Sequence, residues 1–222
     1  MKTLIDEFTE TSMQIVSFYE LIVEVSNNKE ILMADTSKLN RLLTDDAMVK
    51  TMSATLFLLL YNLIESTMRN GIEKIYDRIQ QNQSSYNELS RIFQRRILRD
   101  IKSHVGIDDL HKYAQICIER EIVKASFKSE KLFSGNIDGK KIRETAEDFG
   151  FSFDSDYSQT GHGKKLLVVK TNRNNLAHGL VTFRDVGRNY SLQDLYSIMN
   201  ETINYLDAIL KNIKNYIDQE LY

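Results

Sequence analysis

The chain of 222 residues contains no proline, although average usage of about 5% would supply roughly eleven. Glycine is also sparse, at nine residues. These two residues most often mark turns, and a β-sandwich or β-barrel needs a turn about every 8–12 residues. The shortage of both disfavours an all-β fold and predicts long helices.

Three segments repeat apolar or small residues at alternating steps of three and four. They cover residues 5–26, 58–79 and 192–216. This spacing places each set on one face of a helix, with a stripe wide enough to line a bundle core. Two further helices are predicted at 86–102 and at 108–128, the second with Asp108 or Asp109 as its N-cap.

The helical pattern fails between residues 133 and 164, a stretch that holds five of the nine glycines. We expect a loop with a short embedded helix there, inserted before a core helix near residues 165–178. Gly179 would end that helix as a left-handed cap. No repeat or linker marks a second domain. The sequence therefore predicts an all-α bundle of long antiparallel helices in a single domain over residues 1–222.

Composition limits the chemistry. Twenty-nine Lys and Arg against 31 Asp and Glu give a net charge of −2, which argues against non-specific polyanion binding but not against a local basic site. A single cysteine excludes an internal disulfide and a Cys-rich zinc site. The histidines lack metal-ligand spacing. We therefore expect neither a metal nor a cofactor.

The sequence also favours a cytoplasmic chain that does not engage membranes. The N-terminus carries acidic residues where a signal peptide would have an apolar stretch. The longest apolar run, 54–64, is far shorter than the roughly 20 residues that span a bilayer.

Residues 173–179 read RNNLAHG and are the first candidate for chemistry. They combine a permanent cation, Arg173, with a titratable imidazole, His178, at the end of a predicted helix. The negative end of the helix dipole favours the protonated imidazole. Arginine can neutralise charge on phosphate oxygens, and histidine can move a proton from a ribose 2′-OH. The pair suits metal-independent phosphodiester chemistry.

Spacing alone does not identify this pair, because residues 99–104, RDIKSH, have the same Arg-x4-His pattern. If spacing is the only criterion, charged side chains on a solvated helix face are a sufficient explanation for either match. The two segments differ in context, since RDIKSH lacks the Leu-Ala-His-Gly sequence around the histidine.

With that context, RNNLAHG resembles the Arg-x4–6-His signature of the HEPN superfamily. It is preceded by LLVVKT and followed by a long predicted helix. The segments LLLYNLIESTMRNGIEKIYDRI and SGNIDGKKIRETAEDFGF also resemble the prokaryotic HEPN branch found in toxin–antitoxin and phage-defence loci. The three segments occur in the family's order.

This resemblance implies a helical bundle that dimerises and cleaves RNA, leaving a 2′,3′-cyclic phosphate and a 5′-OH. It implies that Arg173 and His178 are the catalytic pair and that Asn174 is the polar position after the arginine. An antitoxin protein is an implied partner. Some members of the superfamily have lost activity and only bind RNA or a protein, so a non-catalytic module is the alternative. A purely structural or antitoxin-like helical protein is a second alternative.

Helix geometry adds a constraint on the pair. Five residues correspond to about 140° around a helix and ~7.5 Å along it, so Arg173 and His178 do not share one face. A single histidine also cannot act as base and acid at the same moment. A two-fold homodimer that brings a second pair into one cleft would relieve both problems.

A second candidate lies within the helix predicted at 58–79. Glu65 occupies its apolar stripe, where a carboxylate is costly unless paired. Asn62 and Arg69 lie about one turn away on either side and form a polar track with Glu65. The track could support Arg173 and His178 or grip RNA, or it could be a structural ion pair.

Two basic segments complete the candidates. Arg91, Arg95, Arg99 and Lys102 form a stripe on the helix predicted at 86–102, which could follow an RNA backbone or be a solvated face. Residues 161–165, GHGKK, lack the remaining residues of a Walker A motif. We expect a flexible loop at GHGKK, whose charges could contact substrate.

Overall fold

The structure is a computed structural model that describes residues 1–27, 46–115, 118–133 and 135–222. Within these ranges 81% of residues are helical and no strand occurs, which confirms the all-α prediction. The helices are α1 (Lys2–Asn27), α2 (Asp46–Gln81), α3 (Arg91–His104), α4 (Ile107–Ala114), α5 (Ile118–Ser126), α6 (Gly139–Phe149), α7 (Tyr157–Thr160), α8 (Lys165–Ala177), α9 (Phe183–Arg188) and α10 (Leu192–Asp218).

The described residues pack as two compact units. Unit A comprises residues 2–65 and 156–206, and unit B comprises residues 66–155 and 207–222 together with Met1. Helices α2 and α10 contribute residues to both units. That the chain forms one domain stays a prediction.

The core of unit A uses the predicted face of α1. Phe8, Ile15 and Ile22 are buried along it, each about two turns from the next. Near the end of α1 the Tyr19 ring lies 5.8 Å from the ring of Tyr196. The Tyr19 hydroxyl also donates a hydrogen bond of 3.0 Å to the Leu192 carbonyl. The counted repeat therefore identifies the packed face of this helix.

Helix α2 is 36 residues long, and its predicted stripe is buried in the structure. The buried members of that stripe are Tyr61, Met68, Ile72, Ile75 and Ile79. By length and composition alone, residues Ala47–Gln81 could also cross a membrane, but core helices of soluble proteins pass the same test.

Unit B has an aromatic core. The rings of Tyr76, Phe93 and Phe149 lie 5.3–6.2 Å apart from one another, in the tilted and edge-on geometries that aromatic pairs prefer. The hydroxyl of Tyr216 donates a hydrogen bond of 2.6 Å to the Phe149 carbonyl. Phe149 ends α6, so this contact fixes the predicted insert.

The insert follows the prediction in part. The predicted embedded helix is α6, and the Asp138 carboxylate caps it by accepting from the Lys141 N–H at 2.9 Å. The same stretch also holds α7, a single turn that was not predicted. The following helix, α8, ends at Ala177. Gly179 has φ +65°, which confirms the predicted left-handed cap.

Two helix predictions are corrected. Residues 86–88 form a separate 3₁₀ turn, and α3 begins at Arg91 because the Ser90 hydroxyl accepts a hydrogen bond from the Phe93 N–H. The helix predicted at 108–128 is divided into α4 and α5; residues 116 and 117 lie outside the described ranges. Asp108 and Asp109 lie in the first turn of α4 and not at its N-cap. In the first turn their negative charges still interact favourably with the positive end of the helix dipole.

In unit A, α9 lies very close to the start of α2. A Cβ added to Gly187 would lie 1.9 Å from the backbone carbonyl oxygen of Lys50. Backbone cannot move aside as a flexible side chain can, so only glycine fits at this position.

We therefore expect Gly187→Ala to lower the free energy of unfolding by about 1–3 kcal/mol through overpacking. Urea denaturation measures the change. The matched control is Arg188→Ala, which removes only an exposed ion pair with Asp185 and should cost less than about 1 kcal/mol. Equal stability of the Gly187→Ala and wild-type proteins would contradict the close approach.

Candidate functional site

Helix α8 presents one buried face and one exposed face. Leu166, Val169 and Leu176 are buried on the inner face. Arg173 lies on this side of the helix, one turn from Val169 and from Leu176. Its side chain is 22% exposed, so the charge is held partly out of water.

Three groups of unit A surround the Arg173 guanidinium. Its carbon lies 3.6 Å from the centre of the Tyr61 ring, and one terminal nitrogen lies 3.6 Å from a carboxylate oxygen of Glu65. The other terminal nitrogen donates a hydrogen bond of 2.9 Å to Oδ1 of Asn174. Tyr61 is 1% exposed, so the cation rests on a ring that water hardly reaches.

This arrangement offsets the cost of partly burying a cation. The ring face attracts the guanidinium electrostatically, and the Glu65 carboxylate, 27% exposed, supplies the opposite charge. These contacts hold the Arg173 guanidinium in one orientation.

His178 occupies the opposite kind of environment. It is the C-cap residue of α8, with φ −90° and ψ 1°, and its N–H donates to the Asn174 carbonyl at 3.0 Å. After it, Gly179 N–H bonds to Leu176 O and Leu180 N–H bonds to Asn175 O, which is the Schellman pattern of helix ends. The His178 side chain is exposed.

The two predicted catalytic residues therefore lie on different faces of α8. Arg173 faces α2, whereas His178 faces solvent at the helix end. This agrees with the ~140° separation expected from their spacing. The assignment of the pair to catalysis stays a prediction.

The polar track predicted on α2 separates into three environments. Glu65 contacts Arg173, and Asn62 is exposed. Arg69, which belongs to unit B, donates a hydrogen bond to the backbone carbonyl of Ser129.

The predicted basic stripe forms an exposed face of α3 in unit B. Arg91, Arg95, Arg99 and Lys102 are all exposed. Arg99 is engaged, since its guanidinium lies 2.6 Å from the Asp148 carboxylate. This hydrogen bond and charge raise the pKa of Arg99.

Sequence reasoning missed Tyr61 as a site residue. It stood in the apolar stripe of α2, where burial alone explains an aromatic residue. The available signal was its position four residues before Glu65, because residues four apart are neighbours on a helix. Which arginine would lie over this ring could not be read from that spacing.

Among the described residues no group of three or more His, Cys, Asp or Glu side chains could hold a metal ion. The arrangement on α8 consists of a fixed arginine and an exposed histidine. Phosphate recognition and proton transfer are the chemistry these two groups offer.

An all-α chain with an Arg-polar-x3-His-Gly helix end has the features of a HEPN protein. The HEPN family described as MAE_28990-like matches residues 1–222, and the chain belongs to this family. No curated protein and no solved structure matches the chain.

The contact between Tyr61 and Arg173 can be measured independently of any activity. In a double-mutant cycle with Tyr61→Leu and Arg173→Met, we expect a coupling free energy of about 1 kcal/mol, typical of a partly desolvated cation–π pair. Unfolding in urea supplies the four free energies.

The matched control cycle pairs Asn62→Ala with Arg173→Met. Asn62 is the next residue on α2 but is exposed, so its coupling to Arg173 should lie within about 0.3–0.5 kcal/mol of zero. Equal coupling in both cycles would show that the ring has no specific role.

Proposed function

We propose that this HEPN chain is a metal-independent endoribonuclease, a toxin or phage-defence effector of the cytoplasm that does not engage membranes. The observation that carries the proposal is the Arg173 guanidinium, held over Tyr61 beside Glu65 in a helix that ends at exposed His178. An antitoxin protein is its proposed regulatory partner.

In the proposed reaction His178 accepts the proton of a ribose 2′-OH. The 2′-oxygen then forms a bond to the adjacent phosphorus, and the bond from phosphorus to the 5′-oxygen breaks. The products are a 2′,3′-cyclic phosphate and, once the leaving oxygen gains a proton, a 5′-OH. Arg173 stabilises the negative charge that grows on the phosphoryl oxygens.

The contacts around Arg173 support this role. Preorganised charges cost no reorganisation when the transition state forms, and Arg173 is already oriented by Tyr61, Glu65 and Asn174. We assign these three residues to positioning and Arg173 to phosphate stabilisation.

A homodimer completes the proposed site. One imidazole that has just accepted the 2′-OH proton cannot donate a proton to the leaving oxygen at the same moment. The partner subunit's His178 can donate that proton if a two-fold axis places both helix ends at one cleft. The exposure of His178 and of Leu180, 71% exposed, is compatible with such an approach.

The stripe on α3 is a weaker part of the proposal. Arg91, Arg95 and Lys102 are exposed cations that could neutralise RNA phosphates. Arg99 already pairs with Asp148, so we expect it to contribute least. Asn62 and Arg69 complete the proposed set as supporting polar residues on the same helix as Glu65.

A specific observation favours one alternative, a non-catalytic HEPN module that binds RNA or a regulatory protein. The Arg173 guanidinium is already engaged by a carboxylate and a ring, and His178 lies on another face. An RNA that binds without being cut would support this alternative.

The test of the proposed activity is His178→Ala. We expect RNA cleavage in EDTA to fall at least 100-fold, because general acid–base catalysis contributes about 10²–10⁴-fold. Gel electrophoresis of labelled RNA measures the rate, and end-group analysis detects the 2′,3′-cyclic phosphate. Circular dichroism should stay unchanged, since the side chain is exposed.

The chain supplies a matched control in its second Arg-x4-His segment, residues 99–104. The variant His104→Ala should cleave RNA at the wild-type rate. Cleavage that persists in His178→Ala, or that disappears equally in both variants, would overturn the assignment.

The proposed dimer predicts that specific activity depends on protein concentration. Below the dimer dissociation constant, cleavage per protomer should decline in parallel with the dimer fraction, because each protomer then lacks its second imidazole. Analytical ultracentrifugation and initial rates over the same dilution series measure both quantities. Constant activity per protomer in solutions that contain only monomer would refute the two-fold site.

A further inference from the structure

The turn before α8 holds three consecutive residues in the left-handed region. Gly161, His162 and Gly163 have φ values of +52°, +52° and +73°. Glycine adopts this region readily, but His162 does so against steric strain of the order that marks functional sites. A sequence expected to be a flexible loop therefore contains a specific, strained conformation.

Several contacts fix this turn. The Thr160 side chain is 2% exposed, donates to the Asp156 carbonyl at 2.7 Å and accepts from the His162 N–H at 3.2 Å. A Cβ on Gly163 would lie 2.7 Å from the buried Tyr205 ring. The backbone that carries the His162 side chain is thus anchored to the core of unit A.

The turn presents an exposed aromatic cluster. Tyr157 is 58% exposed, and its ring lies 5.2 Å from the His162 ring in an edge-on geometry. The Lys164 ammonium lies 5.3 Å from the Tyr157 ring centre and 3.5 Å from its hydroxyl. Exposed aromatic rings beside a cation are the components of a single-stranded nucleic-acid platform.

The cluster is aligned with the exposed face of α8. Lys164 precedes His178 by fourteen residues, which is close to four helical turns and about 21 Å along the axis. Leu167, 53% exposed, and Thr171 continue the same exposed face between them. At ~3.4 Å per stacked nucleotide, about six nucleotides cover this distance, or fewer if the strand is extended.

We propose that Tyr157 and His162, held by the strained turn at residues 161–163, form a stacking subsite for an unpaired base of single-stranded RNA, several nucleotides from the phosphate at His178. The subsite rests on the proposed function, because it belongs to the RNA substrate of that reaction. It adds a length requirement, because RNA that is too short to reach from His178 to the subsite lacks the binding free energy that the subsite contributes.

Local charge favours recognition of a base over recognition of a phosphate. The carboxylate of Asp156 lies at this turn and accepts from Ser158, which lowers its pKa. The Glu201 carboxylate lies against Gly161. These two anions balance Lys164 and Lys165, so the attraction for a phosphate is weak while the ring faces attract any base.

The test measures binding of RNA that cannot be cleaved. Fluorescein-labelled 2′-O-methyl RNA lacks the attacking 2′-OH, so fluorescence anisotropy reports affinity whether or not the protein is a nuclease. With unpaired RNA of about twelve nucleotides, within the range of known site sizes, Tyr157→Ala should weaken binding about ten-fold. RNA of two nucleotides cannot span the ~21 Å from the subsite to His178 even when extended, and it should bind the wild-type protein at least ten-fold more weakly than the longer RNA.

Matched variants separate stacking from other effects. Tyr157→Phe keeps the ring and should bind within two-fold of wild type. His162→Asn tolerates positive φ but lacks the ring, and should bind more weakly. Tyr157→Ala should leave the slope of log affinity against log salt unchanged, whereas loss of a phosphate contact would reduce it by about 0.7.

The outcomes are distinct from those of the cleavage test. Equal affinity of Tyr157→Ala and wild type for the longer RNA, or no binding by either, would overturn the subsite. The cleavage assay on His178→Ala is decided separately with natural RNA. If the wild-type protein cleaves RNA but Tyr157→Ala binds the longer RNA as tightly as wild type, the subsite is refuted and the nuclease proposal is not.

Discussion

The structure of the site depends on a partly buried cation that rests on an aromatic ring. Removing a guanidinium from water is costly unless opposite charge and polarisable groups replace the solvent. Tyr61 and Glu65 on α2 provide both, and the contact fixes how the inner face of α8 meets α2. A side chain with many rotamers thereby becomes a single oriented group, on the same side of α8 as the buried residues Leu166 and Val169.

Arg173 and His178, the two functional candidates on α8, lie in different environments. The Arg173 side chain is oriented by its neighbours, whereas at His178 the hydrogen bonds that end the helix fix the backbone. A residue at a helix terminus can therefore be exposed and still have a defined backbone position, because the cap determines its φ and ψ. This combination suits a group that must exchange protons with a substrate arriving from outside the protomer.

Much of this was accessible from the sequence. The periodicity of Phe8, Ile15 and Ile22 predicted the packed face of α1, and Gly179 predicted the end of α8, because local backbone rules control both features. The sequence did not predict that α3 starts at Arg91, because more than one serine before it could cap a helix. It did not predict the division of α4 from α5 either, because no proline or glycine lies between them. The sequence analysis placed Glu65 in a track that could support Arg173, and the two side chains do form an ion pair, but the Tyr61 ring under Arg173 escaped prediction. Periodicity places Glu65 and Tyr61 on a face but does not say which helix lies opposite.

Left-handed residues stand at both ends of α8, in the turn at 161–163 and at Gly179. The first is anchored on Tyr205 and the second closes the helix through the Asn175 and Leu176 carbonyls. The length of α8 is therefore determined from both sides. One residue added between Arg173 and His178 would rotate His178 by about 100° relative to Arg173. Substitutions along this helix leave that angle unchanged, whereas a single-residue insertion or deletion between the two positions changes it.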